Sequence, residues 1–321
     1  MRAAQVVTPS GPSAIEVREV DEPAPQPHEV LIDVHAVGVS FPDLLLSKGE
    51  YQLKPEPPFT LGVDFAGTVV SGPDGFEPGQ RVVGVLPYGG GAERVAVPAD
   101  FVFPLPDSLS YDEGAALPMN YLTAHFALVE RGGIREGETV LVHGAAGGVG
   151  TATIQVAKGY GAKSIAVVSS DEKAEVAKAA GADEVVRVDG FKDAVKELTG
   201  GQGVDLVMDV VGGPVFTDSL RVLAPQGRLL VVGFASGEGI PEVKVNRLLL
   251  NNVDVRGVGW GAYAMIRQGY MQEQWAELLP LMENGTIKPS IGATYAFDEF
   301  GQALADLDAR KAMGKLVVRL R

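Results

Sequence analysis

The chain has no cysteine. That absence excludes disulfides and every thiolate zinc site. Histidine is scarce as well: His28, His35, His125 and His143 are all there are. None has a second histidine or a carboxylate at zinc-protease spacing, so each reads as a solvated or hydrogen-bonded residue. Positive charge is short, with 27 Lys and Arg against 41 Asp and Glu, a net charge of −14, and no Lys/Arg run longer than two. Nucleic acid and anionic membranes attract the opposite pattern. That argues against both as partners and leaves room only for a local basic pocket that takes a small anion. No apolar run approaches the roughly eighteen residues that span a bilayer. The N-terminal MRAAQVVTPS lacks the apolar core of a signal peptide, so the expectation is a soluble, cytoplasmic protein.

What is present is globular: 46% hydrophobic and 21% charged residues in a chain of 321, enough for two ordinary domains. The first hundred or so residues carry short Val- and Ile-rich segments, among them AIEVREV, EVLIDVHAVGVS, DFAGTVV and QRVVGVLPY. Turn chemistry at Pro9–Pro12, Gly72–Gly75 and Pro78-Gly79 separates them, and EPAPQP (22–27) is an extended connector. This texture predicts a barrel-like β unit. From about Leu122, continuous apolar strands alternate with amphipathic helices, which predicts a parallel sheet covered on both faces. The strands are ETVLVH, SIAVVS, EVVRV, DLVMDVV, GRLLVVGF and DVRGVGW. Six of them fit an α/β doubly wound dinucleotide (Rossmann) fold. The tail WAELLPLMEN, DEFGQALADLDAR, GKLVVRL could return to complete the first domain.

LVHGAAGGVG (141–150) crowds four glycines into seven residues. It is close to G-x-G-x-x-G, with Ala145 where the first glycine would stand. It follows a buried strand and opens a helix, the setting that a phosphate-binding turn requires. There Gly147 would let a pyrophosphate approach the backbone, and Gly150 would let the helix pack close to the strand. The second strand ends in Ser169-Ser170 rather than in the carboxylate that binds a ribose 2′-hydroxyl. Ser170 reads as a helix N-cap. Lys173, in the first helical turn, opposes the helix dipole unless a 2′-phosphate sits beside it. These features point to NADPH. Asp171 and Glu172 weigh against that reading, because they would repel a phosphate if they faced it and could by themselves satisfy the helix end.

The chain resembles the zinc-free medium-chain dehydrogenase/reductases, in particular the NADPH:quinone oxidoreductase (zeta-crystallin-like) group. The resemblance covers essentially the whole sequence. Its carriers are HAVGVSFPDLLLSKGEYQ (35–52), PPFTLGVDFAGTVV (57–70), ALPMNYLTAHFAL (116–128), HGAAGGVGTATIQVAK (143–158), GRLLVVGFASG (227–237) and DARKAMGKLVV (308–318). It implies a GroES-like β-barrel domain over residues 1–121 and 262–321, a nucleotide domain over 122–261, and an active-site cleft between them. Where zinc members carry a cysteine and Gly-His-Glu, this chain has Ser40 and Gly62-Val63-Asp64. Without a Lewis acid to polarise an alcohol, hydride transfer to an electrophilic quinone or conjugated carbonyl is the implied reaction.

Carried over residue by residue, the resemblance implies Ser40, Asp43 and Tyr51 as catalytic residues. Phe41, Thr123, Gly147, Gly148, Val149, Ser170, Lys173, Phe234, Ala235, Trp260 and Arg310 become cofactor contacts, and Lys315 could approach the phosphates. Two family tyrosines are absent, with Leu45 and Asp189 in their places. Each assignment has a plainer rival: Tyr51 as a loop anchor, Phe41 as core filling, Ser40 and Asp43 as helix caps, Arg310 as a helix-end cation. Reduction of an enal or enoyl thioester, and a non-enzymatic NADPH-binding role, are the alternative functions. The exposed edge strand DVRGVGW, with the frequent dimers of relatives, implies a homodimer.

Overall fold

The computed structural model describes residues 1–321. The chain forms two compact units. One takes Met1–Met119, Met271–Leu279 and Pro289–Arg321; the other takes Asn120–Tyr270 and Pro280–Lys288.

The first unit holds β1 (Arg2–Val6), β2 (Ile15–Glu19), β3 (Glu29–Val39), β4 (Phe59–Thr60), β5 (Asp64–Ser71), β6 (Arg81–Val85), β7 (Arg94–Pro98) and β8 (Val102–Pro104). The second holds β9 (Thr139–His143), β10 (Lys163–Val168), β11 (Glu184–Arg187), β12 (Val204–Asp209), β13 (Leu223–Val231) and β14 (Asp254–Gly257). The last two strands, β15 (Ile291–Ala296) and β16 (Lys315–Arg319), belong to the first unit.

In the first unit the main sheet runs β15-β16-β3-β5-β6-β8, with β7 also on β3, beside a small sheet β2-β1-β4. Alternation sets the facing of β3: Val30, Ile32 and Val34 are buried while Leu31, Asp33 and His35 are only half-buried. They pack with Phe65, Val82, Phe300 and Leu316 in one core, each large side chain stabilising by about 1.5–3 kcal/mol. The tail joins here because β16 pairs antiparallel with β3, Leu316 opposite Val39 and Arg319 opposite Ala36.

The second unit is a six-stranded parallel sheet in the order β11-β10-β9-β12-β13-β14. In chain order its strands read 3-2-1-4-5-6, the doubly wound arrangement. β9 is buried almost throughout, as a strand covered on both faces must be. Helices Gly148–Gly159, Asp171–Ala179 and Phe191–Leu198 follow the first three strands. Tyr263 and Tyr270 pack on Phe126, with ring centroids 5.2 and 6.1 Å away. Gln155 donates to Lys288 O and accepts from Lys288 N. These contacts carry residues 262–270 and 280–288 with this unit.

Two expected helices are shorter than the sequence pattern suggests. PVFTDSLRVLA gives only Pro214–Ser219, and VKVNRLLLNN only Asn246–Asn251. In the second, Leu249 and Leu250 stay 76% and 73% exposed. Apolar content with no face to bury does not extend a helix. No helix is long and apolar enough to cross a membrane.

Candidate active site

The glycine turn closes β9. Gly144 takes the left-handed conformation (φ 62°), and Gly147 N–H donates to Gly144 O at 2.9 Å. The tight-turn role expected at position 145 thus falls one residue earlier. Ala145 is free to bury its methyl group completely. The helix then starts at Gly148 with Gly147 as N-cap. A Cβ on Gly150 would lie 2.3 Å from Gly144 O, and one on Gly148 would lie 2.6 Å from the Asn120 side chain. The turn is therefore built for backbone closeness. Gly147, Gly148 and Val149 are half-buried, and the first amides of the helix have no intrahelical acceptor. Aligned with the helix dipole, they suit an anion. The turn lies at the carboxyl end of β9, whose neighbours β10 and β12 lead away in opposite directions, the switch point where open α/β sheets bind ligands.

At the end of β10, Ser170 caps helix Asp171–Ala179, accepting from Lys173 N–H at 3.3 Å. Lys173 Nζ reaches Ser169 Oγ at 3.3 Å. A cation that the sequence reading missed joins them. Arg187, the last residue of β11, donates to Ser169 O at 2.8 Å and to Asp171 Oδ1 at 3.2 Å. Glu172 is held below the usual carboxylate range by a hydrogen bond from the Ser170 side chain, with its own backbone amide and the Arg187 charge assisting. Both acids that weighed against a phosphate are thus engaged by local partners. The available signal was the Arg closing the third strand, EVVR; what it lacked was the β10–β11 register, Val168 beside Arg187.

The loops after β12 and β13 lie at the same sheet edge. Asp209 Oδ1 accepts from Val211 and Gly212 N–H at 2.9 and 2.8 Å, and Ala235 N–H donates to Val210 O at 3.1 Å. Phe234 and Ala235 are exposed there. A Cβ on Gly212 would fall 2.8 Å from the Phe234 ring. Trp260 is buried at the start of helix Trp260–Ala264. Thr123 is buried in a helical stretch over Pro118–Arg131 whose flanking turns are π-type, an irregularity frequent at functional sites.

The first unit gathers a second polar cluster. Ser40 follows β3 and caps helix Phe41–Lys48. Asp43 is fully buried, with Oδ2 on Ser40 N–H and Oδ1 on Gly62 N–H, both at 2.9 Å. Burial pushes its carboxyl up to about 7, against the pull of those two amides and of Lys315. With both oxygens on backbone, Asp43 braces the turn that presents Ser40. Ser40 Oγ donates to Asp64 Oδ2 at 2.9 Å, and Lys315 Nζ donates to both, at 2.6 and 2.5 Å. Lys315, expected near the phosphates, spends its charge here instead. Tyr51 is half-buried against the core; its hydroxyl is pushed up by burial first and by the Asp43 charge second. Phe41 is 43% exposed, which removes core filling as its role. Arg310 is exposed in the left-handed region (φ 58°).

Residues 148–284 match the zinc-binding dehydrogenase family model, and residues 26–107 match the alcohol dehydrogenase GroES-like domain. Quinone oxidoreductase-like protein 2 of Bos taurus is 39% identical over 311 residues, covering 95% of this chain and 89% of the relative. The chain belongs to the quinone oxidoreductase group of the medium-chain dehydrogenase/reductases. Quinone oxidoreductase of Rattus norvegicus is 35% identical, covering 100% of this chain and 98% of the relative. The Escherichia coli quinone oxidoreductase, solved as a complex with NADPH, is 28% identical with a TM-score of 0.90, each chain covered fully. The protein is a quinone oxidoreductase-like enzyme of an NADPH-using family.

The zinc in the name of the matched model does not fit the residues present. No three His, Cys, Asp or Glu side chains converge on a common point. The ammonium of Lys315 lies between Ser40 and Asp64, where it would repel a second cation. A dinucleotide does fit: the glycine cradle would be filled by a single Cβ, and the end of β10 offers two cations.

Proposed function

We propose that the protein reduces a quinone or related conjugated carbonyl with hydride from NADPH, without a metal ion. The observation that carries this reading is the corner at the ends of β10 and β11, where Lys173 and Arg187 stand beside a capped helix start whose acids are already engaged. An NAD-preferring site would keep a carboxylate for the ribose hydroxyls. This corner suits a 2′-phosphate, with Arg187 presenting its fork and Lys173 a point charge. In the same reading the amides of Gly147, Gly148 and Val149 hold the diphosphate, and Thr123, Phe234, Ala235 and Trp260 border the nicotinamide end. The cofactor supplies the hydride; the protein positions it and a proton donor, for which Ser40 and Tyr51 are the candidates.

Calorimetry with NADPH and NADH tests the cofactor. We expect Arg187→Gln to weaken NADPH about tenfold or more, the value of one charge-assisted hydrogen bond, while leaving NADH unchanged; Lys173→Ala acts in the same direction. Equal affinity of the wild type for both dinucleotides would sink the assignment. A screen of NADPH oxidation over quinones, enals and enoyl-CoA thioesters then tests the acceptor. Turnover confined to enoyl thioesters would replace the quinone reading, and turnover of none would leave a binding protein.

The same reading includes a homodimer formed through β14. That strand is the outer edge of its sheet, paired only with β13, and such an edge invites a second strand. An antiparallel pairing centred on Val255 would set Asp254 of each copy against Arg256 of the other, so the edge is complementary to itself. Ile266, 84% exposed, lines the same pocket as Gly257 and gives the contact an apolar flank.

A further inference from the structure

Three polar side chains from three strands meet inside the barrel unit. Ser40 follows β3, Asp64 opens β5 and Lys315 opens β16. Their separations are 2.5 Å (Lys315 Nζ to Asp64 Oδ2), 2.6 Å (Lys315 Nζ to Ser40 Oγ) and 2.9 Å (Ser40 Oγ to Asp64 Oδ2). The other Asp64 oxygen accepts from Met119 N–H at 2.7 Å. Asp64 is sealed from solvent, whereas Ser40 and Lys315 each keep about 4% exposure. The strand beside them is shaped for the lysine. A Cβ on Gly38 would fall 2.6 Å from Lys315 Cε and 2.0 Å from Ala115 O, so only glycine lets the aliphatic stem pass.

Stability alone is a weak reason for this arrangement. Two charges taken out of water lose hydration that their attraction seldom more than repays, and an apolar pair of the same volume often holds a fold as well. The pair does have a chemical effect on its third member. An ammonium N–H pointed at a hydroxyl oxygen draws electron density from the O–H bond and makes it a stronger donor, more so in a dry site.

We propose that Lys315, fixed by Asp64, tunes the Ser40 hydroxyl to donate the proton to the carbonyl oxygen of the acceptor. The inference rests on the carbonyl-reductase reading above. When hydride from a dihydronicotinamide adds to a conjugated carbonyl, the electron pair collects on the carbonyl oxygen. The Ser40 hydroxyl turns from Asp64 Oδ2 to that oxygen, which forms a bond to the proton as the Ser40 O–H bond breaks, while Lys315 Nζ and Met119 N–H keep Asp64 paired. Ser40 Oγ takes a proton from Lys315 Nζ, and water returns one to the amine. One hydride and one proton complete the two-electron reduction, with no further oxidant or reductant. Ser40 is the catalytic residue of this step. Lys315 and Asp64 act through it and are positioning residues.

The test uses the full chain and a probe that needs no turnover. Para-nitrophenol mimics the oxyanion of the reduced acceptor and reports its own ionisation by absorbance. Bound to the wild type, it is expected to ionise about one pH unit or more below its value in water, as beside a strong donor. Asp64→Asn combined with Lys315→Met removes both charges together and strands neither, which protects folding. In that double variant, and in Ser40→Ala, the depression of the phenol should vanish while circular dichroism and NADPH affinity stay at wild-type values. With benzoquinone as acceptor, kcat should fall about 100-fold, the usual contribution of a placed proton donor, with KM little changed. Failure of the phenol to bind, ionisation as in water, or the same depression in wild type and double variant would overturn the proposal. If the depression is present and lost in the variants but the wild type oxidises no NADPH, the donor stands and the reductase reading falls.

Discussion

His143, the last residue of β9, is buried at 1% exposure with Nε2 2.7 Å from Ser219 Oγ. Ser219 gives its own proton to Val215 O, so Nε2 must carry the hydrogen of that bond, and the ring is neutral. Burial pushes it down to about 4 from 6.5. The native state therefore resists protonation that the unfolded chain accepts. As pH falls below about 6.5, proton uptake by the unfolded chain drains native stability, and the loss is complete near 4; the gap is worth about 3 kcal/mol. His143→Gln, which keeps an N–H for Ser219, should lose less stability than wild type between pH 7 and pH 4.5. Urea midpoints at the two pH values measure this, and parallel curves would show that His143 does not titrate as described. In the sequence His143 reads only as a solvated or hydrogen-bonded residue. Its hydroxyl partner lies 76 positions away, and no local pattern encodes that.

At the scale of elements, the turn between β9 and its helix depends on an absent side chain. Gly150→Ala would place a methyl group 2.3 Å from Gly144 O and 2.7 Å from Ala145 Cα, both backbone atoms that cannot rotate away. A destabilisation of about 1–3 kcal/mol is expected, as for other overpacked sites. NADPH affinity should fall with it, since the helix start must move. Thermal unfolding and calorimetry would show both, and an unchanged melting temperature would mean the turn relaxes at no cost. The turn, the six strands and the Ser170 cap were legible because each is local: periodicity, a cap residue, glycines at a strand end. The identity of the tight-turn glycine was not, since the motif spacing puts that role at position 145 while the chain bends at Gly144. Arg187, Asp64 and Lys315 were less legible still. Each acquires its meaning from a neighbour on another strand, and register is set by the packing of whole sheets.

At the scale of the whole molecule, the edge strand β14 predicts assembly. Asp254 and Arg256 now pair within one chain at 2.6 Å, and in a two-fold antiparallel pairing the same charges would face the opposite copy. Arg256→Asp would set acids against acids across the two-fold, and sedimentation should then report monomer where wild type reports dimer. Adding Asp254→Arg reverses both signs and should restore the dimer. A wild type that sediments as a monomer at micromolar concentration would end this reading.

The hydroxyl of Ser40 and the ammonium that reaches it stand 275 positions apart. During synthesis, the barrel strands emerge first yet wait for nearly the entire polypeptide before β16 arrives. Until then Asp64 lacks the Lys315 ammonium, and Ala36–Val39 of β3 have no partner on the side where β7 covers only Glu29–Asp33. The intervening unit, built from consecutive βα repeats, finds most of its partners among neighbouring strands and is complete by Lys288, before β16 is made. The portion translated earliest is thus the last to mature, and it is the half of the nascent chain most in need of protection from aggregation on the ribosome.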